Sequence, residues 1–378
     1  MPMQERFGRY ELLERIGVGG MAEVFRAVQR GAAGFSRPVA IKRILPHIAS
    51  DPETVEMFID EAKLAVQLSH PNIAQIFDLG QAEGQYFIAM EYVDGHSLET
   101  IWDRWAERQR RLPAEAVAHL LVQVCEALHH AHFAEDAEGR PLGIIHRDVS
   151  PSNVLISFNG EVKVIDFGLA KAENRVSRTR DGMVKGKLAY LSPEQAHGRP
   201  LDRRSDLFSL GVCAWELLTG KRAFRRDDDR KTVLAIRAGK IDPPSRHAVV
   251  PEPLERIVGR LLATQLELRY RTALEAREDL EAWQRQGGPE FGRRNLTALM
   301  RSTFPERFAE EPGANGAIEL VRAKPKEAAT RTRPPPPPPS PADTVDEDWV
   351  DDATDVRPHP ADAADTVPGI ELPEERDR

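Results

Sequence analysis

The stretch "HRDVSPSN", residues 146–153, carries a carboxylate at Asp148 and an amide at Asn153, with Arg147 directly ahead of the acid. A little further on, "KVIDFGLA" (163–170) supplies another acid, Asp166, followed by Phe167 and Gly168. Magnesium takes hard oxygen ligands and keeps several waters. One amide and one carboxylate from adjoining loops, completed by phosphate oxygens, therefore suit it. Asn153 and Asp166 are the candidate metal ligands.

Outward toward the N-terminus, "YELLERIGVGGMAEVFRAVQR" reads as strand, glycine-rich turn, strand. Gly17, Val18, Gly19 and Gly20 form the turn, and glycine lets a backbone approach phosphate oxygens and present N–H groups to them. Alone the turn says little, because such turns are common. "VAIK" (39–42) adds weight: Lys42 ends an apolar strand, where an unpaired ammonium is costly. The following segment, 51–69, has helical apolar spacing and offers Glu61 as the partner. Such a pair aims an ammonium at nucleotide phosphates. "IAQIFDLG" and "QYFIAMEYV" resume strand character, and from about Leu98 the pattern turns mostly helical, as in "AEAVAHLLVQVCEALHHAH". A strand-rich front and a helix-rich back predict an α+β protein of two lobes.

With "HPNI" (70–73), "YLSPE" (190–194) and "RSDLFSLG" (204–211), the order and spacing of these motifs resemble the eukaryotic-like (Hanks-type) serine/threonine protein kinases of bacteria. The resemblance runs from about Tyr10 to Trp283. It implies the two-lobed kinase fold over 10–285, with the small lobe at about 10–93 and the helical lobe at about 94–285. It also implies ATP and Mg2+, with Mn2+ as an alternative, in the cleft between them. By the same resemblance Asp148 is the catalytic base and Lys42 with Glu61 holds the phosphates. Ile16, Val24, Ala40 and Leu155 pack on adenine, and Met90, Glu91 and Val93 belong to the hinge. Glu194 pairs with Arg269, Asp206 braces the loop, and Arg147 accepts a phosphate from the segment before "SPE". Ser177 and Thr179, flanked by Arg175, Arg178 and Arg180, are equal candidates to carry it.

The chain departs from the family at two places. Ser150 stands where the catalytic loop has a lysine, and Lys187 of "GKLAY" stands where the family has a threonine. If the two positions converge beside Asp148, the site keeps one cation and one hydroxyl, delivered from opposite sides. Phosphoryl transfer depends mainly on positioning and charge, so the source of the cation matters less than its presence. The alternatives are a solvent-facing Lys187 with reduced activity, and an inactive scaffold that recruits partners through its tail. Intact nucleotide and metal positions speak against the scaffold. Asp206, Arg269 and the long segment ending in "SPE" speak against a small-molecule phosphotransferase. Tyrosine specificity is a weaker reading that the loss of the loop lysine leaves open.

Of the net charge of −8, the segment 342–378 contributes −10, leaving the rest close to neutral. No basic surface calls for nucleic acid. Two cysteines, Cys125 and Cys213, give no disulfide framework, which favours a reducing, cytoplasmic setting. No signal peptide or membrane span is expected. Residues 286–310 predict a helical extension, with Leu296, Leu299, Met300 and Phe304 on one face packed on the globular part. Residues 311–378, with six consecutive prolines and then the acidic run, predict a disordered tail. Thr344, Thr354 and Thr366 lie among its aspartates. They are autophosphorylation sites for a phosphothreonine-reading forkhead-associated domain, part of a solubilising tail, or part of an acidic ligand for a polybasic surface.

Overall fold

Period-2 alternation through the first ninety residues builds one antiparallel sheet in a computed structural model that describes residues 5–167, 187–287 and 290–309. Its strands are β1 (Glu5–Phe7), β2 (Tyr10–Val18), β3 (Ala22–Arg30), β4 (Ser36–Ile44), β5 (Ile76–Ala82) and β6 (Gln85–Glu91), in the order β1-β2-β3-β4-β6-β5. Successive residues of a strand point to opposite faces. Val39 and Ile41 of β4 therefore join Phe7, Tyr10, Leu12 and Phe87 in one apolar cluster. Ala40 and Ile44 join Phe58 and Ala62 of α1 (Pro52–Ala65) in another. Lys42 shares the second parity, and the alternation thus turns it toward α1.

β1 lies ahead of the expected start of the domain at Tyr10. It is short and two of its three residues are charged, which hides it from pattern reading, but Phe7 is fully buried and packs edge-on against Phe87.

A second antiparallel sheet, β7 (Gly95–Ser97), β8 (Val154–Ser157) and β9 (Val162–Val164), lies on the helical side. The two lobes are tied by the loop after α1: Ala74 N–H donates to Val164 O at 3.0 Å and Asn72 Nδ2 donates to Val162 O at 3.0 Å. α2 (Leu98–Glu107) follows β7, and its N-cap Ser97 accepts from Thr100 N–H. α3 (Ala114–His132), α4 (Pro193–His197), α5 (Arg204–Thr219), α6 (Asp229–Ala238), α7 (Glu252–Leu261) and α8 (Ala273–Gly287) complete the helical lobe. α5 is buried on nearly every side: its apolar residues 207, 208, 210 and 212–215 face all round, and its buried polar groups Asp206, Ser209 and Glu216 are hydrogen-bonded. Cys125 and Cys213 are buried inside α3 and α5.

α9 (Arg293–Thr303) packs Leu296, Leu299 and Met300 into the helical core, and a tight turn follows at Pro305–Phe308. Among the described residues no helix is long and apolar enough to cross a membrane. The expected disordered tail, 311–378, lies outside the described residues.

Candidate active site

Lys42 Nζ lies 2.8 Å from Asp166 Oδ1 and 3.1 Å from Glu61 Oε1, so the ammonium bridges a strand, a helix and a loop. Burial pulls its pKa down, but Asp166 and Glu61 outweigh burial and hold it raised. Burial pushes the Glu61 carboxyl up despite the Lys42 charge. Burial also opposes ionisation of Asp166, yet Lys42, with Lys187 further off, holds that carboxyl below the usual range.

The catalytic loop is fixed from beneath. Buried Asp206 on α5 accepts from the backbone N–H of His146 and of Arg147, both at 2.8 Å, and from His132 Nε2 at 2.8 Å. Burial works against its ionisation, but His132 and the His146 amide hold the carboxyl low. His146 is fully buried; Nδ1 accepts from Asp148 N–H and Nε2–H donates to Ile165 O. Burial lowers its pKa and keeps the ring neutral. Arg147 and Asp166 have φ of 64° and 55°, a left-handed backbone that non-glycine residues rarely adopt. Each such residue costs about 1–3 kcal/mol and persists where the surroundings over-determine it. Arg147 meets that condition: its N–H goes to Asp206 and its carbonyl accepts from Gln195 Nε2 at 3.0 Å.

Asn153 Nδ2 donates to the backbone carbonyl and to Oδ2 of Asp148, at 2.8 and 3.1 Å. Lys187 opens a short turn (Lys187–Tyr190) after the segment 168–186. Its Nζ sits 2.9 Å from Asp148 Oδ2 and 3.4 Å from Asn153 Oδ1. The structure thus brings Lys187 onto the candidate base. Ser150 is buried and its Oγ lies 3.0 Å from Ser152 Oγ, so its hydroxyl bonds within the loop. Of the two departures from the family pattern, the Lys187 ammonium lies against Asp148, whereas the Ser150 hydroxyl is turned toward Ser152.

The remaining expected positions surround this centre. Ile16 and Val18 are large apolar residues left 48% and 60% exposed at the end of β2, where Gly17 pairs with Val24 and Val18 with Glu23. The turn is thus confined to residues 19–21, and the first two of the four expected turn residues, Gly17 and Val18, belong to the strand ladder. Ala40 pairs with Met90 across β4 and β6, and both are buried; Val24, Glu91, Val93 and Leu155 are half-buried. Glu91 is pinned by Lys163 Nζ at 2.8 Å and accepts from Gln75 N–H. Away from the cleft, Glu194 holds Arg269 at 2.7 Å, with the guanidinium wholly buried. Gly168, Ser177 and Thr179 lie outside the described residues.

Sequence reading missed the Lys163–Glu91 pair, the His132–Asp206 bond and a cavity of about 310 Å³ just past Lys187. Leu188, Ala189, Arg225, Arg226 and Thr232 line it. These groups meet only in three dimensions and share no local spacing.

Among the described residues no cluster of three or more metal-ligating side chains forms. One amide, one carboxylate and a buried ammonium fit a metal that arrives with its phosphates, rather than a metal held by protein alone.

Comparison with known proteins agrees with this architecture. Residues 10–279 match the protein kinase domain family. A tyrosine-protein kinase, MasK, of Myxococcus xanthus is 43% identical over 312 residues, covering 82% of this chain and 48% of MasK. The serine/threonine-protein kinase PknB of Mycobacterium leprae is 38% identical over 278 residues, covering 72% of this chain and 42% of PknB. PrkC of Bacillus subtilis, also a serine/threonine-protein kinase, is 36% identical, covering 73% and 40%. The crystal structure of the Mycobacterium tuberculosis PknI kinase domain superposes with a TM-score of 0.55 at 26% identity, covering 75% of this chain and 99% of that domain. This chain belongs to the protein kinase family, in its bacterial Hanks-type branch. It spans less than half the length of the curated relatives it matches.

Proposed function

We propose that this protein transfers the γ-phosphate of ATP, with Mg2+ or secondarily Mn2+, to serine and threonine hydroxyls of proteins, its own among them, in the cytoplasm. The observation that carries the reading is the pairing of two polar clusters. Lys42 is held between Glu61 and Asp166, and Lys187 lies on Asp148 and Asn153. The two clusters adjoin through the backbone: Ile165 N–H, one residue before Asp166, donates to the Asn153 carbonyl at 3.0 Å.

Magnesium, when bound with ATP, would neutralise charge developing on the phosphates. Asn153 and Asp166 are the residues to hold it. Lys42, oriented by Glu61, takes the α- and β-phosphates. Asp148 accepts a hydrogen bond from the incoming hydroxyl and orients it for attack. Lys187 replaces the catalytic-loop lysine as the cation near the transferred group. Gly17 and Val18 at the end of β2, with Gly19 and Gly20 in the turn after it, cover the phosphates, while Ile16, Val24, Ala40 and Leu155 enclose the adenine against the hinge at Met90–Val93. The cavity beside Leu188 and Ala189 receives residues flanking the acceptor.

A second acceptor reading rests on one relative: MasK, named a tyrosine-protein kinase, shares 43% identity. Ser150 also removes a lysine that usually marks serine/threonine specificity. The test is incubation of the full chain with Mg-ATP and a protein substrate, followed by phosphoamino-acid analysis. Phosphoserine and phosphothreonine are expected from wild type and none from Asp148→Asn. Phosphotyrosine alone would move the acceptor class, and no transfer by wild type would leave the scaffold reading. Phosphate mapped to Thr344, Thr354 or Thr366 would make the tail a ligand for forkhead-associated domains, and unmodified threonines would remove that role.

A further inference from the structure

We infer that the extension after the kinase domain, residues 290–309, is a positioning clamp for the nucleotide site. The inference rests on the ATP-dependent reading above. The family match ends at residue 279, so α9 and the turn after it lie outside it. They are docked on the parts of the helical lobe that carry the proposed adenine and metal positions.

The small sheet β7-β8-β9 is the platform concerned. β8 begins at Val154, directly after Asn153, and contains Leu155; β9 ends at Val164, two residues before Asp166. Its strands are three or four residues long, and so small a sheet needs a packed cover to hold its shape. The extension supplies that cover. Fully buried Phe304 stacks on His96 of β7, with ring centroids 4.1 Å apart, and meets Phe158 edge-on. Phe308 packs edge-on against the same Phe158. Phe158 N–H in turn donates to the carbonyl of Asp94, the residue after the hinge, at 2.8 Å.

Two features of the domain are shaped to receive the extension. Gly160, in the β8–β9 turn at φ +77°, lies so close to α9 that a Cβ there would come within 2.4 Å of the Arg293 carbonyl. At the other end α2 grips the last turn of α9. Trp105 Nε1 donates to Thr303 Oγ1 at 2.8 Å, and Arg104 and Arg108 donate to the Thr303 and Ser302 carbonyls. Cations at a helix C-terminus satisfy its last carbonyls and complement its dipole. The ion pairs Arg293–Glu161 and Arg307–Asp94 are largely exposed and add little energy, but they set register at both ends.

Phe304 is thus a positioning residue. It touches no substrate and acts through β7, β8 and the end of the hinge. A last helix that merely stabilised the lobe would lower the active fraction without altering affinity for nucleotide. A clamp alters affinity, because ATP then binds only the fraction whose hinge and β8 are in register.

The decisive experiment uses full-length Phe304→Ala, Phe304→Leu and Gly160→Ala, each assayed well below its own Tm. ATP Kd is measured by calorimetry with Mg2+, KM is measured for ATP and for the protein acceptor, and amide exchange is followed without nucleotide. Phe304→Ala and Gly160→Ala, which disturb opposite ends of α9, are expected to raise ATP Kd and KM about tenfold, the effect of cutting the competent fraction tenfold. Acceptor KM stays unchanged, and amides of 94–97 and 155–158 exchange faster. Phe304→Leu, which keeps most of the apolar volume and folds most readily, shows the same effects to a smaller degree. An unchanged ATP Kd in folded variants, with only Tm lowered, overturns the clamp. If wild type binds no ATP, the nucleotide reading fails instead. The exchange rates then decide the clamp alone: faster exchange supports it, and unchanged rates overturn it.

Discussion

An ammonium 2.9 Å from the Asp148 carboxylate gives Lys187 a chemical consequence that its neighbours in "GKLAY" lack. The family lysine would reach that carboxylate from within the catalytic loop; here it comes from the facing segment. Losing one preorganised charge of this kind costs about 10²–10³ in turnover. Lys187→Ala is therefore expected to lose activity by that factor in steady-state assays while ATP Kd holds. Ser150→Lys in the same background should restore part of it, because a lysine there has the loop origin usual in the family. Wild-type turnover in Lys187→Ala would show that the enzyme works without this cation. The position was legible in sequence because "GKLAY" and "HRDVSPSN" each keep their frame around one changed residue. The orientation of Ser150 was not legible, since its bond to Ser152 depends on how a buried loop turns.

At the scale of elements, α4 is joined to the segment before α8 by one buried pair. Arg269 donates to Glu194 and to the carbonyls of Ala263 and Arg204, and Ser205 adds a donor to Glu194. Removing one partner of a buried pair strands the other charge, at about 3–5 kcal/mol. Glu194→Ala should therefore lower unfolding free energy by that much in denaturant titrations, and a loss below about 1 kcal/mol would assign the work to the carbonyl contacts instead. Elements of strong period were readable: α3 spans "AEAVAHLLVQVCEALHHAH" from end to end. β1 and the pairing of β7 with β8 were not, because three-residue strands carry no period of their own and exist through their partners. α9 was foreseen as a packed helix. Its partner was not, since His96, Phe158 and Gly160 give no sign of it in their local sequence.

At the scale of the whole molecule, burial of ionisable side chains sets how the lobes respond to acid. The histidines His70, His96, His119, His129 and His146 all have pKa values held below 6.5, chiefly by burial. A histidine with a depressed folded pKa binds its proton more readily when unfolded. Its contribution is complete above about pH 6.5 and is lost as pH falls through the folded value. Asp166, Asp206 and Glu194 act in the same direction at lower pH. Their folded values are depressed, so the stability they add is complete above the unfolded carboxylate range and vanishes on acidification below it. Glu61 and Glu216 run the other way, because burial raises them and they favour the folded state as pH falls toward their range. With five histidines against two raised carboxyls, Tm should fall continuously as pH drops from 7 to 5, then more steeply below about 4 as the depressed carboxylates take up protons. Calorimetric scans across that range, in one buffer ionic strength, measure it directly. A flat Tm between pH 7 and 5 would mean that Glu61 and Glu216 offset the histidines in full. The fall should then reappear in Glu216→Gln, which removes one opposing group and keeps one amide oxygen to accept from Tyr190 and Arg222, giving up the bond from Ala223 N–H.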